Sequence, residues 1–117
     1  MRRRLRLVGI GIVLAAAACS SGQARRAPAD VPAVLEVQNN ASLDMTIYVY
    51  VRGGSRNRLG TAVAHRTSWF TIPQRLLFGL TPLQFQADPI GTGARPVLRE
   101  ITVEAGDTVV MNIPPGG

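Results

Sequence analysis

The stretch Met45 to Arg52 alternates apolar and polar residues at a strict period of two. Met45, Ile47, Val49 and Val51 share one parity. Thr46, Tyr48, Tyr50 and Arg52 share the other. β-branched and aromatic residues dominate it, and these suit a pleated, half-buried strand. A helix cannot use this pattern, because a period of two spreads apolar groups around a 3.6-residue spiral. The same period recurs until the end of the chain. Leu35 and Val37 alternate with Glu36 and Gln38 and stop at Asn39-Asn40. Further runs are expected at 59–64, 68–72, 83–87, 97–103 and 109–113.

Turn signals separate these runs. They are Gly53-Gly54-Ser55-Arg56-Asn57-Arg58, His65-Arg66-Thr67, the Gly- and Pro-bearing loop 88–96, and Ala105-Gly106-Asp107. Residues 74–79 read as a loop or a single helical turn. Seven short strands with no sustained helical period predict an all-β domain over 34–114, with 115–117 as a tail. The expected fold is a seven-stranded antiparallel immunoglobulin-like sandwich, with a small β-barrel as the alternative. About 80 residues suffice for one core but sit near the marginal end. Small exported domains often add disulfides. The single cysteine, Cys19, lies outside the expected domain.

The first 33 residues have a different grammar. Met1-Arg2-Arg3-Arg4-Leu5-Arg6 is a basic n-region. An apolar run from Leu7 ends in Ala15-Ala16-Ala17-Ala18, followed at once by Cys19. This is the layout of a secretory signal over 1–18. Its apolar run of about twelve residues is too short for a spanning helix, which needs roughly twenty. Around Ala16-Ala17-Ala18-Cys19 the chain resembles a bacterial lipoprotein. The resemblance implies cleavage before Cys19, a diacylglycerol on its thiol and acylation of the new amino terminus. The family usually places Leu where this chain has Ala16. Ser20 after the cysteine implies an outer-membrane destination under the sorting rule of enteric bacteria. Residues 19–33, rich in small, polar and proline residues, are expected to be a lipid-anchored disordered tether.

Processing at Cys19 also removes most of the apparent basicity. The chain carries a net charge of +6, but four of its thirteen basic residues precede Cys19. Nine arginines and seven acids remain beyond it, a balance of +2. No concentrated basic face is expected, so no nucleic-acid partner is.

Chemistry-bearing groupings are sparse. A cupredoxin-like turn at Ala105-Gly106-Asp107 would need two histidines and a cysteine thiolate for copper. The chain has one histidine, His65, and no metal or cofactor is expected. A hydrolytic reading would use His65 as base with Ser68 or Asp88, and Asp107 as a further orienter. No Gly-x-Ser-x-Gly elbow supports it. Glu100 and Glu104 share a parity but would stand about 13 Å apart along a strand. Gly91-Thr92-Gly93 precedes no helix that would receive a phosphate.

Two surface groupings remain as candidate binding residues. Arg52, Arg56 and Arg58 surround the second hairpin and suit anionic groups. Tyr48 and Tyr50 lie two apart on the outward parity and suit a sugar or a protein partner. The expected function is therefore a non-catalytic binding or scaffolding module. It would be held in a bacterial envelope through a lipid on Cys19, with an envelope protein or glycan as partner. The alternatives are a structural subunit joined by edge-strand pairing, and a hydrolase using His65.

Overall fold

The computed structural model describes residues 30–116. The signal segment, Cys19 and most of the expected tether lie outside them. Seven strands form: β1 (Ala33–Asn39), β2 (Met45–Val51), β3 (Asn57–Ala62), β4 (Arg66–Ile72), β5 (Thr81–Pro89), β6 (Val97–Val103) and β7 (Thr108–Ile113). A 3-10 turn, Gln74–Leu76, leads from β4 toward β5. Among the described residues no helix is long and apolar enough to cross a membrane.

The strands make two sheets rather than a closed barrel. One has the order β4-β1-β7 and the other β3-β2-β5-β6. Alternation puts Leu35 and Val37 of β1, Met45, Ile47 and Val49 of β2, and Leu83, Phe85 and Ala87 of β5 into a common core, each fully buried. The opposite parities face outward, which is the behaviour expected of half-solvated sheets.

The expectation of a wholly antiparallel arrangement is corrected at one pair. β1 and β7 run parallel, with Val37 opposite Met111. A parallel pair needs a long crossover. Here the pair joins the first and last strands, so the five strands between them are the crossover and no helix is required.

Boundaries shift for local reasons. β3 ends at Ala62 rather than at residue 64, because the backbone is captured by another loop. The Ala64 N–H donates to the Asp44 carboxylate at 2.9 Å, and the His65 N–H donates to the Ala41 carbonyl at 3.2 Å. His65 itself takes a left-handed φ of 60°. Arg66 and Thr67, expected in the turn, already belong to β4. β5 runs on through Asp88 and Pro89. It is an interior strand, yet its two prolines sit only at its second and last positions, where ladder hydrogen bonds are least needed. Arg99 occupies the inward parity of β6, opposite Phe85. It remains exposed and turns back to donate to the Leu98 carbonyl at 2.8 Å. A charge at an inward position guards an edge strand against pairing.

Two residues fix how the layers meet. Gly60 lies opposite Ile47 in β2. A Cβ built on it would stand 2.8 Å from Cε1 of Phe70, and its φ of +153° is one that side chains rarely adopt. The missing side chain is the space the Phe70 ring fills. Asn39 is the second. It is 1% exposed, the one fully buried polar side chain among the described residues. Its Nδ2 donates to the carbonyls of Leu43 at 2.9 Å and Ala62 at 3.0 Å, and its Oδ1 accepts the Ala41 N–H at 3.0 Å.

Gly60→Ala is expected to cost about 1–3 kcal/mol, the range for overpacking a core. Pairing it with Phe70→Leu should recover part of that loss, as read by the midpoint of urea unfolding. Asn39→Ala strands two carbonyls and an amide, and should cost about 2–4 kcal/mol in the same assay.

Candidate functional site

The outer face of the β3-β2-β5-β6 sheet collects the residues singled out by sequence. Cross-strand register builds it in rows. Tyr48 stands between Arg58 of β3 and Gln86 of β5, and Gln86 is followed by Leu98 of β6. Tyr50 stands beside Gln84, which stands beside Glu100. Neighbours in such rows are close enough for side chains to interact. Both tyrosines are half-buried.

Charge and hydrogen bonds organise this face. Arg52 Nη2 donates to Glu100 Oε1 at 2.5 Å, and Gln84 Nε2 donates to the same oxygen at 2.6 Å. Gln86 Nε2 donates to Asp88 Oδ1 at 2.7 Å, and Arg56 lies 3.6 Å from Asp88. The hydrogen bond from Gln84, then the hydrogen bond and charge of Arg52, hold the Glu100 carboxyl below the ordinary carboxylate range. Arg52 and Glu100 are both substantially exposed, so their pairing organises the surface more than it stabilises the fold.

The five candidates are brought to one face, but their roles differ. The guanidinium of Arg56 lies over the Tyr48 ring, 4.3 Å from its centroid. One tyrosine of the expected pair is therefore capped by a cation, and the pair does not form an open aromatic platform. Arg58 reaches along β3 to Thr61 Oγ1 at 3.5 Å. Tyr50, Arg52, Gln84 and Glu100 are left as the working cluster. Beside them lies a shallow depression of about 240 Å³ lined by Val51, Arg52, Thr81, Pro82, Gln84 and Glu100. Its walls offer a guanidinium, an amide and a carboxylate next to a proline ring.

The hydrolytic grouping is not assembled by hydrogen bonds. His65 is exposed in its turn, whereas Ser68 lies at the inward parity of β4, opposite Val37. Asp88 is occupied with Gln86 and Arg56 on the other sheet. Glu104 falls in the turn after β6 rather than on the strand with Glu100. Asp107 accepts the Glu104 N–H at 2.8 Å and so closes that same turn. Among the described residues no three His, Cys, Asp or Glu side chains cluster as a metal site would require.

Sequence reasoning missed Gln84, Gln86 and Glu100 as partners of the tyrosines, because register between distant strands is not written in either strand. It also passed over Trp69. This residue is 62% exposed on the outer face of the other sheet, in one row with Glu36 and Val110. Its parity was the available signal: Phe70 and Ile72 claim the inward positions of β4, which turns Trp69 outward.

The Glu100 environment has a titration signature. Because its pKa is lowered in the fold, its favourable contribution is present above the unfolded carboxylate pKa and is lost as pH falls through the lowered value. A carbon-13 NMR titration should place the Glu100 midpoint below that of an ordinary glutamate. Gln84→Ala should move it upward, since the largest cause is removed. Compared with known proteins, the chain matches no family model, no curated protein and no solved structure.

Proposed function

We propose that this chain is a lipid-anchored module of a bacterial envelope that binds a polyhydroxylated ligand, an envelope glycan, on the outer face of its four-stranded sheet. The observation that carries the binding reading is the Tyr50–Gln84–Glu100–Arg52 cluster beside its depression. An aromatic ring next to a carboxylate, an amide and a guanidinium held in fixed geometry offers stacking and both hydrogen-bond polarities. Sugar hydroxyls use all three. Tyr50, Gln84 and Glu100 sit on strands, and Arg52, in the turn just after β2, is held by its bond to Glu100, so little ordering is lost on binding.

The anchoring reading is supported by the basic, apolar and small-residue layout before Cys19. An outer-membrane address is the destination that Ser20 favours. We infer further that the sandwich is of the immunoglobulin-like class. Its division into three- and four-stranded sheets supports this, while the parallel β1–β7 pair is a departure.

A second reading, a structural subunit joined by strand pairing, is favoured by β6. This is a seven-residue edge strand, paired on one side by β5, with Leu98 half exposed. Against it stands Arg99, an edge guard.

Intact mass of the membrane-extracted protein tests the anchor. The expected species is residues 19–117 carrying a diacylglycerol and an N-acyl group, and an unmodified chain would overturn the anchor. A glycan array probed with the extracted protein tests the face. Tyr50→Ala and Glu100→Gln should each weaken retention by about tenfold, the equivalent of about 1.4 kcal/mol. Retention indifferent to both substitutions removes this face as the site.

A further inference from the structure

The segment between β4 and β5 is built to display apolar side chains. Phe78 is 76% and Leu80 68% exposed, the highest values of any large hydrophobic side chain among the described residues. They are not on a frayed loop. Leu76 and Leu77 pack against the core, and their N–H groups donate to the carbonyls of Pro73 and Gln74, each at 3.0 Å. Thr81, only 7% exposed, closes the turn beyond them. Its Oγ1 accepts the Phe78 N–H at 2.7 Å and lies 3.4 Å from the Gly79 carbonyl. Gly79 supplies the left-handed φ of +68° that the turn requires. Two large apolar side chains two residues apart, held out to solvent by a turn with fixed geometry, cost solvation that contact with an apolar surface would relieve.

The position of this turn says what it contacts. Ala33 pairs with Ile72, so the chain enters the fold beside the end of β4, where the turn departs. Val31, itself exposed, lies at the same end. Thirteen residues lie between Cys19 and Ala33, fourteen steps of chain, a reach of at most about 50 Å. The end that carries Phe78 and Leu80 is therefore the end from which the chain leads back to Cys19. Formal charge there is mixed. Arg75 donates to Asn57 and Arg52 to Glu100, and the neighbouring turn carries Glu104 and Asp107. An apolar attraction needs no anionic headgroups, and mixed charge supplies no preference for them.

We infer that the Phe78-Gly79-Leu80 turn is a membrane-contact tip, seated in the interface of the bilayer that holds the chain. Its occupant is the headgroup–acyl boundary of a phospholipid surface, zwitterionic lipid being sufficient. Three acyl chains on Cys19 would hold the chain at the membrane by themselves, so the tip adds close apposition of the domain rather than retention. The tip would also orient the sandwich, holding its long axis away from the surface and leaving the corner at 39–44 outermost. This inference rests on the anchoring reading, and the two are separable by experiment.

The test uses the membrane-extracted full chain in a Trp69→Phe background, reconstituted into phosphatidylcholine vesicles carrying doxyl-labelled lipid. The indole of Phe78→Trp is expected to be blue-shifted and quenched several-fold more strongly than that of Ile90→Trp at the opposite end. The quenching should be insensitive to added salt. Equal quenching at the two positions overturns the tip, as does a concentration-dependent dimer that Phe78→Ser/Leu80→Ser abolishes. Intact mass on the same sample reports whether Cys19 is acylated. An acylated chain without differential quenching sinks the tip alone. A non-acylated chain with differential quenching keeps the tip and sinks the anchor. Failure of both sinks both.

Discussion

The fold depends on how one buried amide is satisfied. β1 must end in the first sheet, and β2 must begin in the second, within the five residues 40–44. A crossing so short cannot keep its backbone groups in a ladder, and buried polar groups left unpaired are costly. Asn39 solves this by using both amide protons and its oxygen on Leu43, Ala62 and Ala41. The loop it shapes then becomes a point of attachment. Its Asn40 N–H donates to the Ile113 carbonyl, and its Ala41 and Asp44 accept hydrogen bonds from the N–H groups of Ala64, His65 and Ile90. Three other segments, the end of β7, the β3–β4 turn and the loop after β5, are thus tied to one corner without a disulfide.

The two ends of the sandwich consequently differ in character. At the corner, hydrogen bonds converge on the loop 40–44. At the other end the connections are tight turns closed by their own residues, as Asp107 closes the turn after β6 and Thr81 the turn before β5. Apolar side chains can be displayed from such turns because the turn geometry, and not burial, holds them in place. The polar ladder on the outer sheet face lies between these ends. Arg52, Gln84 and Glu100 share one carboxylate oxygen, so moving any of them disturbs the others.

Much of this was legible one strand at a time. The period of two in β2 correctly put Met45, Ile47 and Val49 inside and turned Tyr48 and Tyr50 outward, while Arg52, read as continuing that parity, lies in the turn past the strand and reaches back to Glu100. Val97–Val103 was read with its observed bounds. Gly60 was legible in principle, since a lone glycine inside a strand marks a close approach, but the ring it admits belongs to the other sheet. Asn39 read as a strand stop, which it is. Nothing local revealed that it would be buried with three partners. The capping of Tyr48 by Arg56 was equally hidden, because seven residues that include a hairpin turn separate them.

The sequence by itself determined that this is an all-β domain and which side of most strands is apolar. Both follow from side-chain periodicity, a property of consecutive residues. It determined as well that no disulfide crosses the described fold, since the chain's single cysteine precedes it. Only the tertiary structure decided which strands are neighbours, that the first and last run parallel, and that Glu100 comes to Arg52 across 48 residues. Pairing is a choice among strands with nearly identical local patterns. It is settled by complementary volume, such as Phe70 over Gly60, and by buried groups that must find partners, such as Asn39. Those conditions exist only once the two sheets have come together.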